Sequence, residues 1–212
     1  MLPPALRYPA GTAIGAVAIC LALAFFGNAD EIAVLAVVVL IVAVWTTVRL
    51  VGARSGGETP RAIQVRRIRQ QHRLVSRSWL EVRDGGRAYW LPVYFDPALV
   101  ALTATPASGT SRSVDWNGHR FFAAGRSRST EPVGRLIDNP SRIAPDAVVR
   151  GVAANRVGRR LLLDAQSAVG APLVGFMWVF VAGGGIGAFA GATAVGAAAA
   201  IWWSAIGGSD PS

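Results

Sequence analysis

Apolar positions along this chain form long unbroken stretches near both ends and short alternating runs in the middle. Ala10 to Gly27 carries no charge, and neither does Ile32 to Val48. Ala165 to Gly208 is charge-free over more than twice that length. A helix that crosses a bilayer needs about 20 mainly apolar residues, because each adds about 1.5 Å toward about 30 Å of hydrocarbon. The first two stretches each match one span. The third is too long for one and matches two, near Ala165 to Ala182 and Ile186 to Ala205, divided at Gly183-Gly184-Gly185. A single tilted or broken span is the alternative for this stretch. The first stretch, with Arg7 before it and small residues at Gly27-Asn28-Ala29, also has the form of a secretory leader. It reads as a span because a second span follows at once and the chain begins at Met1.

The pattern changes between Gly52 and Asp164. A polar linker, Arg54 to Pro60, opens this segment. Leu74 to Arg83 and Ala88 to Phe95 are rich in β formers and flank Asp84-Gly85-Gly86, so they predict a hairpin. In its second strand Tyr89, Leu91, Val93 and Phe95 share one face, and Ala88, Trp90, Pro92 and Tyr94 the other. Both faces are apolar, so neither is simply solvated. Pro92 cannot donate to a ladder, which predicts an edge or a bulge. Asp96-Pro97 predicts a capped turn of helix through Leu102.

Asn117-Gly118 predicts a type I′ turn that sets Trp116 opposite His119, Asp115 opposite Arg120 and Val114 opposite Phe121. His119 is expected in a packed ladder. Arg126 to Pro145 reads as an extended loop, and Asp146 to Leu163 as a helix or a last strand. The fold class that follows is an α-helical integral membrane protein of about four spans with an inserted small all-β, barrel-like domain. The divisions are 1–52 for an N-terminal hairpin, 53–164 for the β domain and 165–212 for a Gly/Ala-rich C-terminal hairpin.

Charge adds orientation. The β segment holds 19 Arg against 9 Asp and Glu, which accounts for the whole net charge of +9. Arg49, Arg54, Arg61, Arg66, Arg67, Arg69 and Arg73 follow the second span, whereas its other end carries the short acidic linker Gly27 to Glu31. By the positive-inside rule the β domain and both termini face the cytoplasm across an inner membrane. Topology and anionic lipid headgroups explain the surplus, with an acidic protein as the other partner class. Nucleic acid is not expected.

All 21 basic residues are Arg. With no Lys there is no Walker A lysine, no Schiff-base lysine and no lysine general base. Two His and one Cys exclude an internal disulfide and any Cys/His-spaced metal site, so no metal or cofactor is expected. Cys20, in mid-span, reads as a small apolar filler. No nucleophile elbow, zinc-helix motif or paired-acid constellation is visible, and no carboxylate lies within the expected spans as a proton-coupled carrier requires. The chain is expected to be non-catalytic.

The candidate site residues are of two kinds. Gly183, Gly187 and Gly191 recur every four positions, as do Gly184, Ala188, Ala192, Gly196 and Ala200. Such spacing places each set on one helix face, where small side chains let backbones approach closely. These stripes predict a helix-packing interface, within the protein or against other membrane subunits; an Ala-rich composition yielding stripes by chance is the plain alternative. Trp45, Trp202 and Trp203 near span ends suit an aromatic belt, and Arg159 and Arg160 are placed to meet headgroup phosphates. Trp178 lies deeper and is expected to pack between helices.

In these features, namely Arg without Lys, Ala/Val-rich spans at Ala10–Gly27 and Ile32–Val48, and the Gly/Ala hairpin around Gly183–Gly196, the chain resembles small membrane proteins of high-GC actinobacteria. Among them it looks most like the LucB-type accessory subunit of the mycobacterial Mce lipid importers. The resemblance covers the layout of the whole chain and includes no diagnostic motif. It implies an accessory or regulatory role in import of fatty acids or sterols, docked on a transporter permease. A self-contained membrane protein using its basic domain for membrane-surface signalling, or for an unrecognised enzymatic task, is the alternative.

Overall fold

The computed structural model describes residues 2–55 and 58–212. Gly56 and Gly57 of the expected linker lie outside the described residues. In chain order the elements are α1 (Pro4–Ala24), α2 (Ala29–Arg54), β1 (Arg61–His72), β2 (Val75–Asp84), β3 (Arg87–Val93), a 3₁₀ turn (Pro97–Ala101), β4 (Thr105–Gly109), β5 (Ser113–Trp116), β6 (His119–Phe122), β7 (Arg135–Asp138), α3 (Ala147–Ala154), α4 (Val157–Asp164), a 3₁₀ stretch (Ala165–Gly170), α5 (Ala171–Ala182) and α6 (Ile186–Ile206).

Four helical segments are long and apolar enough to cross a membrane: α1, α2, the run Val157–Ala182 and α6. The acidic linker before α2 is a helix cap. Asn28 Oδ1 accepts from the N–H groups of Asp30 and Glu31 at 3.0 Å, and Glu31 accepts from the Asn28 N–H at 2.9 Å. This reciprocal box satisfies donors that no helix can satisfy internally. At the other hairpin Gly183 and Gly184 adopt positive φ of 75° and 94°, which ends α5 and turns the chain back into α6. α6 packs against both α1 and α5. Ala13 and Ala16 of α1, Val42 of α2, and Ala198, Trp202 and Ile206 of α6 are buried together.

The seven strands form one curled antiparallel sheet in the order β3-β2-β1-β4-β5-β6, with β7 also paired to β1. The sheet's two ends meet. The Tyr94 N–H donates to Phe122 O at 2.9 Å, and the Ala124 N–H donates to Pro92 O at 2.7 Å. Pro92, lacking an N–H, therefore sits on the strand where the curl ends. Leu91, Val93 and Phe95 point into the enclosed core with Val65, Leu80, Val82, Val114 and Phe121. The opposite face of that strand explains its apolar character. Tyr94 packs with Ala5 and Leu6 of α1, Ala53 of α2 and Ala124, so the sheet rests on the helix ends.

Local expectations are met at two turns. Asn117 and Gly118 take positive φ, and the three predicted cross-strand pairs are present. Arg120 donates to both Asp115 oxygens, at 2.7 and 3.1 Å. Asp96 caps the 3₁₀ turn by accepting from the Ala98 N–H at 2.9 Å. His119 differs from expectation: its side chain is half exposed, 3.8 Å from Asp96, because the hairpin tip projects beyond the core. The middle segment is not purely β. Ala147, Gly151 and Ala154 of α3 are buried, and α3 packs against the Pro97–Ala101 turn. β1 forms the centre of the sheet from the Arg-rich run, for which the sequence predicts no element. β7 replaces part of the expected Arg126–Pro145 loop.

Candidate functional site at the seam of helices and sheet

Polar groups concentrate where the helix ends meet the sheet. Asp164, the last residue of α4, is 3% exposed. Its Oδ2 accepts from the Tyr8 hydroxyl at 2.6 Å and from the Ser209 hydroxyl at 3.1 Å, and its Oδ1 accepts from the Ser204 hydroxyl at 2.7 Å. One carboxylate thus ties α1, α4, α6 and the tail after α6. Sequence reasoning placed no carboxylate within a span, yet Asp164 falls inside the Val157–Ala182 run. The clue was its position against the charge-free stretch that begins at Ala165.

A second polar group continues from the first. After α6 the tail pairs with the start of β2: the Asp210 N–H donates to Ser76 O at 2.8 Å, and Arg77 and Ser209 form a bridge. Asp210 Oδ2 accepts from Arg67 Nη2 and from the Ser78 hydroxyl, both at 2.6 Å. Both charged side chains are almost fully buried. Burial pushes the Asp210 carboxyl up, but Arg67, Ser78 and Ser212 outweigh it and hold the group below its ordinary range. A cavity of about 180 Å³ lies between these two groups, lined by Gln71, Ser76, Arg159, Arg160, Asp164 and Asp210 among others.

Arg160 stands between the cavity and the helices. It is 2% exposed, with its guanidinium carbon 3.8 Å from the Tyr8 ring centroid. Its Nη1 donates to Asn155 Oδ1 at 3.2 Å, whereas Nε and Nη2 are buried without a partner among the described residues. Arg160 is not displayed beside Arg159 on an open surface: Tyr8 of α1 covers its guanidinium, and the side chain lines a space between α1, α4 and α6. Arg159 stays exposed and donates to Pro211 O at 3.2 Å.

A third arginine group borders the seam. Arg77 is drawn below its ordinary pKa, first by burial and then by the nearby Arg49 and Arg128 cations. The Nε atoms of Arg49 and Arg77 are buried without a partner among the described residues. Arg49 lies over the Trp45 ring at 5.7 Å, and Arg128 over Trp79 at 5.5 Å. Trp45 and Trp203 stack at 5.9 Å, and both remain well exposed. Trp202 does not join them outside. It is 4% exposed, and its indole N–H donates to Thr46 Oγ1 at 2.8 Å, locking α6 to α2.

The small-residue stripe divides. Gly183 and Gly184 lie in the turn rather than on α6, so the expected runs begin at Gly187 and Ala188. A Cβ at Gly196 would meet Val174 of α5 at 3.3 Å, so this position is an internal contact. Gly191 faces Leu23 of α1 more loosely, at 3.8 Å. Gly187 has nothing within 4 Å. Ala188 and Ala192 are partly buried. The tightest approach uses a residue the stripe did not include: a Cβ at Gly175 of α5 would fall 2.3 Å from Thr193 Oγ1 and 2.8 Å from Phe189 O.

No protein-family model, curated protein or solved structure matches this chain.

Proposed function

We propose that the chain is a non-catalytic accessory subunit of a larger inner-membrane complex, serving lipid import of the fatty acid or sterol kind, and that it acts by assembly. The observation that carries this reading is the seam of Arg49, Arg77 and Arg128, three neighbouring cations with two buried, unpartnered Nε atoms. Such a cluster is complemented by acidic groups that no described residue supplies to those Nε atoms, either anionic headgroups or an acidic face of a partner subunit. The stacked Trp45–Trp203 pair beside Arg49 suits headgroup depth. Gly187, with open space beside it, gives α6 a small-residue position on which a permease helix can seat closely.

In this reading the sheet lies on the cytoplasmic side, where its arginines belong. It is anchored to the bundle through Asp164 and Tyr94, so a contact made by the sheet is relayed to the helices. ATP-driven work falls to another subunit, since the chain has no P-loop lysine. The test is purification from the native membrane in a gentle detergent, with identification of every co-purifying chain. A stable particle holding transport subunits is expected. A lone monomer or homo-oligomer would sink the assembly reading in favour of a self-contained membrane protein.

A further inference from the structure

Between α1, the start of α4 and α6 the fold leaves a groove of about 560 Å³. That volume falls within the range of about 300–1,000 Å³ typical of small-molecule sites. Gly11, Gly15 and Ile19 of α1, Leu161 of α4, and Ala198 and Ile201 of α6 line its apolar length. Arg7, Tyr8, Asn155 and Arg160 line it at the end where α1 meets the sheet. From Arg7 to Ile19 the α1 wall runs about 18 Å at about 1.5 Å per residue. One leaflet supplies about 15 Å of hydrocarbon, half of a core of about 30 Å. The groove therefore has the length of one acyl chain and a cation at one end.

The cationic end is built rather than incidental. Arg160 is almost completely buried, stacks on Tyr8, and keeps two N–H-bearing nitrogens without partners among the described residues. Its nearest carboxylate in sequence, Asp164, is taken by three hydroxyls, and among the described residues Arg160 donates only to Asn155. Buried guanidinium donors left unmade are costly, and an anionic oxygen satisfies them with charge-assisted bonds. Arg7 adds a second, exposed cation at the same mouth. The floor is open, because a Cβ at Gly11 or Gly15 would meet nothing within 4 Å.

We propose that this groove holds one anionic phospholipid, its phosphate on Arg160 and Arg7 and one acyl chain laid along Gly11, Gly15 and Ile19. The proposal rests on the membrane reading and deepens it by naming a resident lipid. It does not depend on which subunits the chain joins.

The test uses the full chain, purified in a neutral detergent, stripped of lipid, and examined by native mass spectrometry. Phosphatidylglycerol, phosphatidylcholine and palmitate are added in turn. One phosphatidylglycerol per chain is expected, held about tenfold more strongly than phosphatidylcholine. Gly15→Leu fills the open floor and should lose the adduct with an unchanged melting temperature, while Ala36→Leu on the exposed face of α2 should retain it. Arg160→Gln should also lose it; if that variant does not fold, Gly15→Leu and Arg7→Gln still decide the matter. Equal retention of both phospholipids, an adduct that survives Gly15→Leu, or palmitate held in preference to phosphatidylglycerol would each overturn the proposal. Co-purification of partner subunits is a separate readout, so either reading can fail alone.

Discussion

Tyr8 and Asp164 are 156 positions apart, and the Tyr8 hydroxyl donates to the Asp164 carboxylate at 2.6 Å in a buried setting. This bond closes the ring formed by α1, α4, α6 and the tail. Tyr8→Phe keeps the ring under Arg160 and removes only the hydroxyl. A hydrogen bond to a charged partner contributes about 1.5–3 kcal/mol, so that much stability should be lost. Thermal unfolding in detergent, followed by circular dichroism, checks it. An unchanged melting temperature would show that Ser204 and Ser209 suffice for Asp164.

The two glycine positions of the C-terminal hairpin should respond in opposite ways. Gly175→Ala places a methyl against Thr193 and the Phe189 carbonyl, an overpacking that costs about 1–3 kcal/mol. Gly187→Leu meets open space and should leave the isolated chain as stable as before. The same variant should release partner subunits during purification. Intact co-purification of it would remove the docking face from the assembly reading.

Packing of α3 on the sheet depends on Gly151. A Cβ there would fall 2.4 Å from Pro97 O, and backbone cannot move aside as a flexible side chain can. Gly151→Ala should cost about 1–3 kcal/mol and loosen α3. Hydrogen exchange should then rise over Ala147–Ala154 and over the Pro97–Ala101 turn while β1 and β2 stay protected.

Asp210 sets an acid limit. Its folded-state pKa lies below the ordinary 3.8, so its contribution is fully present above that value and is lost as pH falls through the depressed one. The melting temperature should drop on acidification below about pH 4. Asp210→Asn leaves the Arg67 guanidinium buried without its counter-charge, and breaking such a pair costs about 3–5 kcal/mol. The variant should therefore be weaker at neutral pH and show a flatter acid dependence. A parallel acid profile for variant and wild type would assign the acid transition to other carboxylates.

The long apolar helices and two tight turns could be read from the sequence because each rests on local information. Unbroken apolar runs, Asp96-Pro97 and Asn117-Gly118 need no distant partner. β1 could not be read in this way. Its arginines look like a topological signal, yet Arg66 pairs with Glu81 and Asp138, and Arg67 with Asp210. Those partners lie 15, 72 and 143 positions away, so no window on the chain contains them. β7, four residues in a Ser- and Pro-rich stretch, becomes a strand only because β1 offers it an edge. The site was hidden for the same reason. Arg160 reads as an exposed twin of Arg159 until α1 supplies the Tyr8 ring that covers it.

The tail that returns from α6 to the sheet also imposes a schedule on biogenesis. β1 leaves the ribosome long before Asp210 is made, so Arg67 waits without its counter-charge until α6 has been synthesised and the tail doubles back. A chain that stops short of the tail leaves Arg67 buried beside Ser78 without its counter-charge. The Arg67–Asp210 pair thus ties the last-made residues to the central strand of the sheet, so the buried arginine gains its counter-charge only when the chain is present through its tail.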